Sequence, residues 1–206
     1  MKQHSLKEVM KLLSTLPGAK IDVGFRQGHD AVMRQLQLRT GQHNIQFVDD
    51  FIEGMKDELE TLQKEVAPCD LPHEYIDFLE LYGGMAIFHD DFYFQVFGLG
   101  PMVEDWYASI VSDATLAVPD NPGYISIGEL KRRDGTGRSN RLHYVLDLSG
   151  VVDRHCVISV ERSRTTPLLT EVLANLMAYP DRWQKVANSF NAWLNLIADT
   201  AGRLGH

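Results

Sequence analysis

Leu71-Pro72-His73-Glu74-Tyr75-Ile76-Asp77-Phe78-Leu79-Glu80-Leu81-Tyr82-Gly83-Gly84 is the stretch on which the fold of this 206-residue chain turns. Pro72 suits a first helical turn, where its missing N–H is not needed. Glu74 lies near the positive end of the helix dipole. Tyr75, Phe78, Leu79 and Tyr82 recur at three- and four-residue steps and give the helix one buried face. Gly83 and Gly84 supply the left-handed backbone that closes it. Just upstream, Ile52, Met55, Leu59, Leu62 and Val66 make a second apolar stripe, opposite Glu53, Lys56, Asp57, Glu60 and Lys64. Glu60 and Lys64 form a correctly oriented i,i+4 pair, and Pro68 ends this helix.

After Gly84 the pattern changes. Met85–Phe88 and Phe92–Phe97 read as strands joined by a turn at His89–Asp91. Gly98-Leu99-Gly100-Pro101 breaks the chain, and Val103–Thr115 has helical spacing. Pro119 to Gly123 is a dense turn. Tyr124–Ile127 and Leu142–Leu148 read as strands separated by a polar loop, Gly128 to Arg141. A further strand surrounds Val157–Val160. Leu168–Leu176 reads as a helix. A last helix opens at Pro180-Asp181 and carries Trp183, Val186, Ala187, Phe190, Trp193, Leu194 and Ile197. At the other end, residues 5–16 suit a short amphipathic helix capped by Ser5 with Glu8 three residues on. Residues 1–47 otherwise have no firm periodicity and stand as an extension, ahead of a domain over 48–206. The order of elements predicts an α+β domain: an antiparallel, possibly mixed, sheet flanked by helices.

Length and composition suit a globular chain, with 44% apolar and 23% charged residues. The net charge of −8 lacks the basic excess of nucleic-acid binders. The charge is segmental: residues 1–50 sum to +2, 51–120 to −13 and 121–206 to +3. The middle segment would steer a basic partner. No run approaches the roughly 18 apolar residues of a membrane span, and there is no signal-peptide pattern. Cys69 and Cys156 lack metal spacing and read as thiols in a cytoplasmic protein.

Taken together, the motifs resemble a known family. Leu71 to Leu79 followed by Tyr82-Gly83-Gly84 is similar to the pattern LPxxYxxFLxxYGG. Ile125-Ser126-Ile127-Gly128, Asp134-Gly135-Thr136-Gly137 and Leu142 to Asp147 are similar to IxIGxdgxGdxxxlDl. Ser189-Phe190 and Trp193-Leu194 resemble its closing helix. This is the Smi1/Knr4 family of the SUKH superfamily, and the resemblance covers about residues 48–198. The glycine loop departs from it by carrying Lys131, Arg132, Arg133, Arg138 and Arg141. The resemblance implies a non-catalytic binding protein. Many bacterial members are immunity proteins that neutralise toxins, and eukaryotic members are regulators. Pro72, Tyr75, Phe78, Gly83, Gly84, Gly128 and Asp147 map to structural positions of the motif.

The residues that could carry chemistry make weak constellations. His73 and Asp77 lie one helical turn apart, but zinc catalysis wants three protein ligands. His89-Asp90-Asp91 reads as a turn before it reads as a metal site. Gly98-x-Gly100 and Gly135-x-Gly137 lack the further residues of phosphate loops. Cys69 has His73 nearby in sequence, which does not place a base. The expectation is therefore no catalytic residue, no metal and no cofactor. The expected partner is a protein, a cognate and possibly nuclease toxin, rather than nucleic acid or a membrane. Asp90, Asp91, Glu104 and Asp105 are the candidate contacts. The alternatives are a regulatory scaffold or a small-ligand-binding protein.

Overall fold

The computed structural model describes residues 3–88, 92–99, 116–118, 121–133, 139–162 and 169–204. The chain begins with α1 (Leu6–Ser14), β1 (Ala19–Ile21), a 3-10 turn at Phe25–Gln27 and α2 (His29–Thr40). The two helices read around the opening motif follow as α3 (Val48–Glu65) and α4 (His73–Tyr82). Then come β2 (Met85–Phe88), β3 (Phe92–Val96), β4 (Leu116–Val118), β5 (Asn121–Arg133), β6 (Ser139–Asp147) and β7 (Val157–Arg162). The chain closes with α5 (Leu169–Ala174), β8 (Trp183–Ala187) and α6 (Phe190–Leu204).

The eight strands form one sheet in the order β1-β2-β3-β5-β6-β7-β8, with β4 also on β5. Every described pairing is antiparallel. β4 and β3 divide one edge of β5 between them, taking its first and second halves, while β6 runs along the other edge from Tyr124 to Arg133. Alternation along the strands separates two faces. Met85, Ile87, Phe94, Val96, Ile125, Ile127 and Leu146 join the larger core with α1, α2, α3, α4 and α6. Tyr124, Val145, Ile158 and Val160 face the other way and pack with Val172, Leu173 and Leu176 of the α5 region. The expected α+β class is what the structure has.

Two elements differ from the sequence reading. The span Gly128 to Arg141, expected as a polar loop, is mostly a hairpin: register continues from Gly128↔Tyr144 to Arg133↔Ser139. Leu130 and Leu142 pack against the core, so the charged neighbours merely occupy alternate positions. Trp183 to Ala187, expected as the start of the last helix, is β8 on the edge of β7. Short apolar spacing is ambiguous between helix and strand. Here the open edge of β7 decides it, and the Trp183 indole N–H donates to the Leu176 carbonyl at 2.9 Å. The helix expected over 103–115 lies outside the described residues.

Residues 1–47, set apart as an extension, contribute to the same core. Val9, Met10 and Leu13 of α1 and Val32 and Leu36 of α2 are at most 2% exposed. β1 adds a strand beside β2. The chain entering α1 is clamped to α6: the Asn191 and Asn195 side-chain amides both donate to the His4 carbonyl, and the His4 N–H donates to Asn195 Oδ1. Buried Asp22 pairs with Arg39 of α2. The expected cap of α1 is present, with Ser5 and Glu8 each capping the other's backbone N–H.

Candidate interaction surface

The motif residues occupy structural positions. Pro72 precedes the first turn of α4 with φ −65°, the angle its ring imposes. Tyr75 and Phe78 are fully buried against Phe190 of α6, with ring centroids 4.7 and 5.1 Å away. Glu74 does more than favour its own helix dipole. Its carboxylate accepts the Asn191 N–H at 3.0 Å and so binds α4 to the start of α6. That link is invisible in sequence because the partners are 117 residues apart. Gly83 ends α4 at φ 62°, and Gly84 follows with φ 135°. At Gly128, a Cβ would lie 2.5 Å from the Gln95 carbonyl oxygen and 3.2 Å from the Trp193 ring. The glycine lets α6 and β3 close on β5.

Asp147 is fully buried at the end of β6 and organises the turn into β7. Its Oδ1 accepts the Ser149 hydroxyl at 2.7 Å and the Gly150 N–H at 2.9 Å. Its Oδ2 accepts the Val152 and Asp153 N–H groups at 2.8 and 3.3 Å. The carboxylate does the work of a small folded peptide, satisfying backbone donors that would otherwise be orphaned. Beside it, burial and the Asp147 charge push the Cys156 thiol up to about 11, which keeps it protonated and inert.

A second polar group lies on the sheet face opposite α6. Gln95 and Glu129 are opposite one another on β3 and β5 and are at most 3% exposed. The Gln95 amide donates to Glu129 at 3.2 Å, the Tyr93 hydroxyl donates to Gln95, and Lys131 pairs with Glu129. The Lys131 ammonium also lies 5.1 Å from the Tyr93 ring centroid. This chain of contacts pairs its own charge and pins the register of β3 on β5. The basic residues of the expected loop are thereby divided. Lys131 and Arg141 share this face, whereas Arg132, one residue on, faces α6. Arg138 lies outside the described residues, as do Asp134 to Gly137.

Of the weak chemical constellations, that of His73 and Asp77 has its carboxylate already engaged. Asp77 accepts from Arg26 at 2.8 Å, and the same guanidinium meets Glu80 at 2.9 Å. A cation already occupies the side of α4 that a metal would need. Among the described residues no three His, Cys, Asp or Glu side chains converge as a metal site. The candidate contacts Asp90, Asp91, Glu104 and Asp105 lie outside the described residues.

α3 runs into the acidic middle segment, with Asp49 and Asp50 just ahead of that segment. The helix carries seven Asp or Glu residues and two lysines. Val48, Phe51, Met55, Leu59 and Leu62 face the core. Asp49, Asp50, Glu53, Asp57, Glu60 and Glu65 are exposed. Both lysines are paired within the helix, Lys56 with Glu53 at 3.1 Å and Lys64 with Glu60 at 3.4 Å. The helix presents a net negative face next to solvent.

Packed helices, one antiparallel sheet and polar groups that hold turns and strands together define an α+β protein without a gathered reactive centre among the described residues. The chain belongs to the SMI1 / KNR4 family (SUKH-1), whose model matches residues 55–196. Searches of curated proteins and of solved structures gave no match. The matched span takes in the α4 motif, the β5–β6 hairpin, Asp147 and the first part of α6. No helix among the described residues is long and apolar enough to cross a membrane.

Proposed function

We propose that the protein is a non-catalytic binding protein of the immunity type, which captures a basic toxin through its acidic side and occludes it. Members of the family commonly interact with proteins. The observation that carries the reading is the exposed face of α3, whose acids outnumber its lysines while its other face is fixed in the core. A rigid acidic helix steers a cationic partner into encounter without first having to order itself. Asp90, Asp91, Glu104 and Asp105, acids of the same stretch of sequence, remain the further candidate contacts of this proposal. Site, partner and a cytoplasmic setting are all part of this proposal.

The test is co-expression with the toxin-like product of the neighbouring gene. The wild type should co-purify with it and restore growth. The triple charge reversal Asp50→Lys, Asp57→Lys, Glu60→Lys changes only exposed side chains. It should keep the fold and lower the association rate by about tenfold or more at low salt. Failure of the wild type to bind or protect would end the immunity reading. Unchanged association by the triple variant would move the interface off α3.

A further inference from the structure

Between α6 and the sheet face it covers lies a cleft of about 140 Å³. Phe92, Phe94, Tyr144 and Trp193 supply its aromatic lining, with Trp193 4.9 Å from Tyr144 and 5.7 Å from Phe94 between ring centroids. Arg132 is the one charged residue among the described lining. It is exposed and has no carboxylate partner among the described residues. Its neighbour Lys131 is turned to the opposite face and neutralised by Glu129, so the alternation of β5 delivers to the cleft one cation without a carboxylate partner among the described residues. A second donor is also unused. Trp193 is 1% exposed, and its indole N–H has no acceptor among the described residues. A buried donor without a partner is costly enough to need a reason.

These features select a ligand class. A dry apolar cavity near this size holds one benzene-sized ring. A guanidinium matches a carboxylate with two parallel hydrogen bonds. Among the described residues the lining carries no carboxylate to welcome a cation and no second cation to hold a polyphosphate. The Thr200 hydroxyl already donates to the Leu196 carbonyl at 2.7 Å, which leaves Arg132 as the anion's donor at the rim. We propose that the cleft binds a small aromatic monocarboxylate, one ring with one short acid arm. The ring enters the aromatic lining and the acid meets Arg132. This site is separate from the acidic face of α3 and stands or falls independently of the immunity reading.

Titration of the full chain with phenylacetate, followed by calorimetry and ligand-observed NMR, tests it. The expected result is saturable one-to-one binding. The neutral isostere phenylacetamide should bind at least about tenfold more weakly, the loss of one charge-assisted contact. Arg132→Gln changes an exposed side chain, should leave the melting temperature in place, and should weaken phenylacetate by the same factor. Leu196→Trp, at the partly exposed rim, should compete with the ring and abolish binding. Absence of saturable binding up to about 10 mM would overturn the proposal. So would equal affinity for acid and amide, or Arg132→Gln binding like the wild type.

Discussion

Asp147 shows how one side chain can determine a turn. Four donors converge on a carboxylate without solvent access, and truncation leaves them unpaired in a buried site. Asp147→Ala should therefore lower stability by about 3 kcal/mol in urea unfolding, since each orphaned buried donor is expensive. Gly128 makes a steric counterpart. Gly128→Ala forces a methyl against the Gln95 backbone and should cost about 2 kcal/mol by the same measurement. Cys156 gives a titration test. Its thiol is raised to about 11 in the folded chain, so the folded state holds its proton after the unfolded state has lost it. That contribution to stability is complete below the ordinary thiol range and is lost as pH rises toward 11. At pH 8, a disulfide reagent should modify one thiol, the partly exposed Cys69, in the native protein. The second should react only on unfolding; prompt reaction of both would contradict the burial of Cys156.

At the scale of elements, α1 and β1 carry the main departure from the sequence reading. Leu6, Val9, Met10 and Leu13 were legible as a helical stripe, but nothing in their spacing says what they cover. They cover the same core as α6, and β1 extends the sheet edge at β2. Removal of residues 1–47 should therefore abolish cooperative unfolding rather than leave a folded remainder. Met10→Ala alone should cost about 3 kcal/mol, the usual price of emptying a buried site of this size. A sharp, unshifted thermal transition in the truncated chain would restore the view of that segment as an appendage. β8 carries the complementary lesson. Trp183, Val186 and Ala187 satisfy a helical spacing as well as a strand, and local propensity does not choose between them. Pairing of Lys185 with Ile158 and of Trp183 with Val160 does. The Lys185–Asp153 contact at 2.6 Å adds an exposed ion pair across the same edge.

For the whole molecule, the division of charge matters more than its sum. Twenty-eight acids and twenty basic residues would make an ordinary acidic protein if evenly mixed. Instead α3 concentrates acids on an exposed ridge, while several basic groups are occupied in holding elements together: Arg39 with Asp22, Lys131 with Glu129, and Arg26 with α4. If that ridge steers a partner, association should slow as salt rises, because exposed charges are screened within about 8 Å at physiological ionic strength. Dissociation should change little, being set by desolvated contacts. A stopped-flow salt series measures both rates. A salt-independent association rate would argue for an apolar surface instead.

The sequence by itself determined the α3–α4 pair, most of the strands, the α+β class and the family, because these rest on local periodicity, helix ends and motif order. It also marked Gly83, Gly84, Gly128 and Asp147, although as members of a pattern rather than for what they touch. The tertiary structure decided what depends on neighbours distant in the chain. It made the glycine-and-arginine loop largely a hairpin, turned the first part of the last helix into an edge strand, and drew α1 and α2 into the core. It also placed Arg132 and Lys131 on opposite faces, one beside an aromatic cleft and the other inside an ion pair. The physical reason is common to all of these. Backbone hydrogen bonds must be satisfied and apolar faces covered, and both requirements are met by partners that no local window contains.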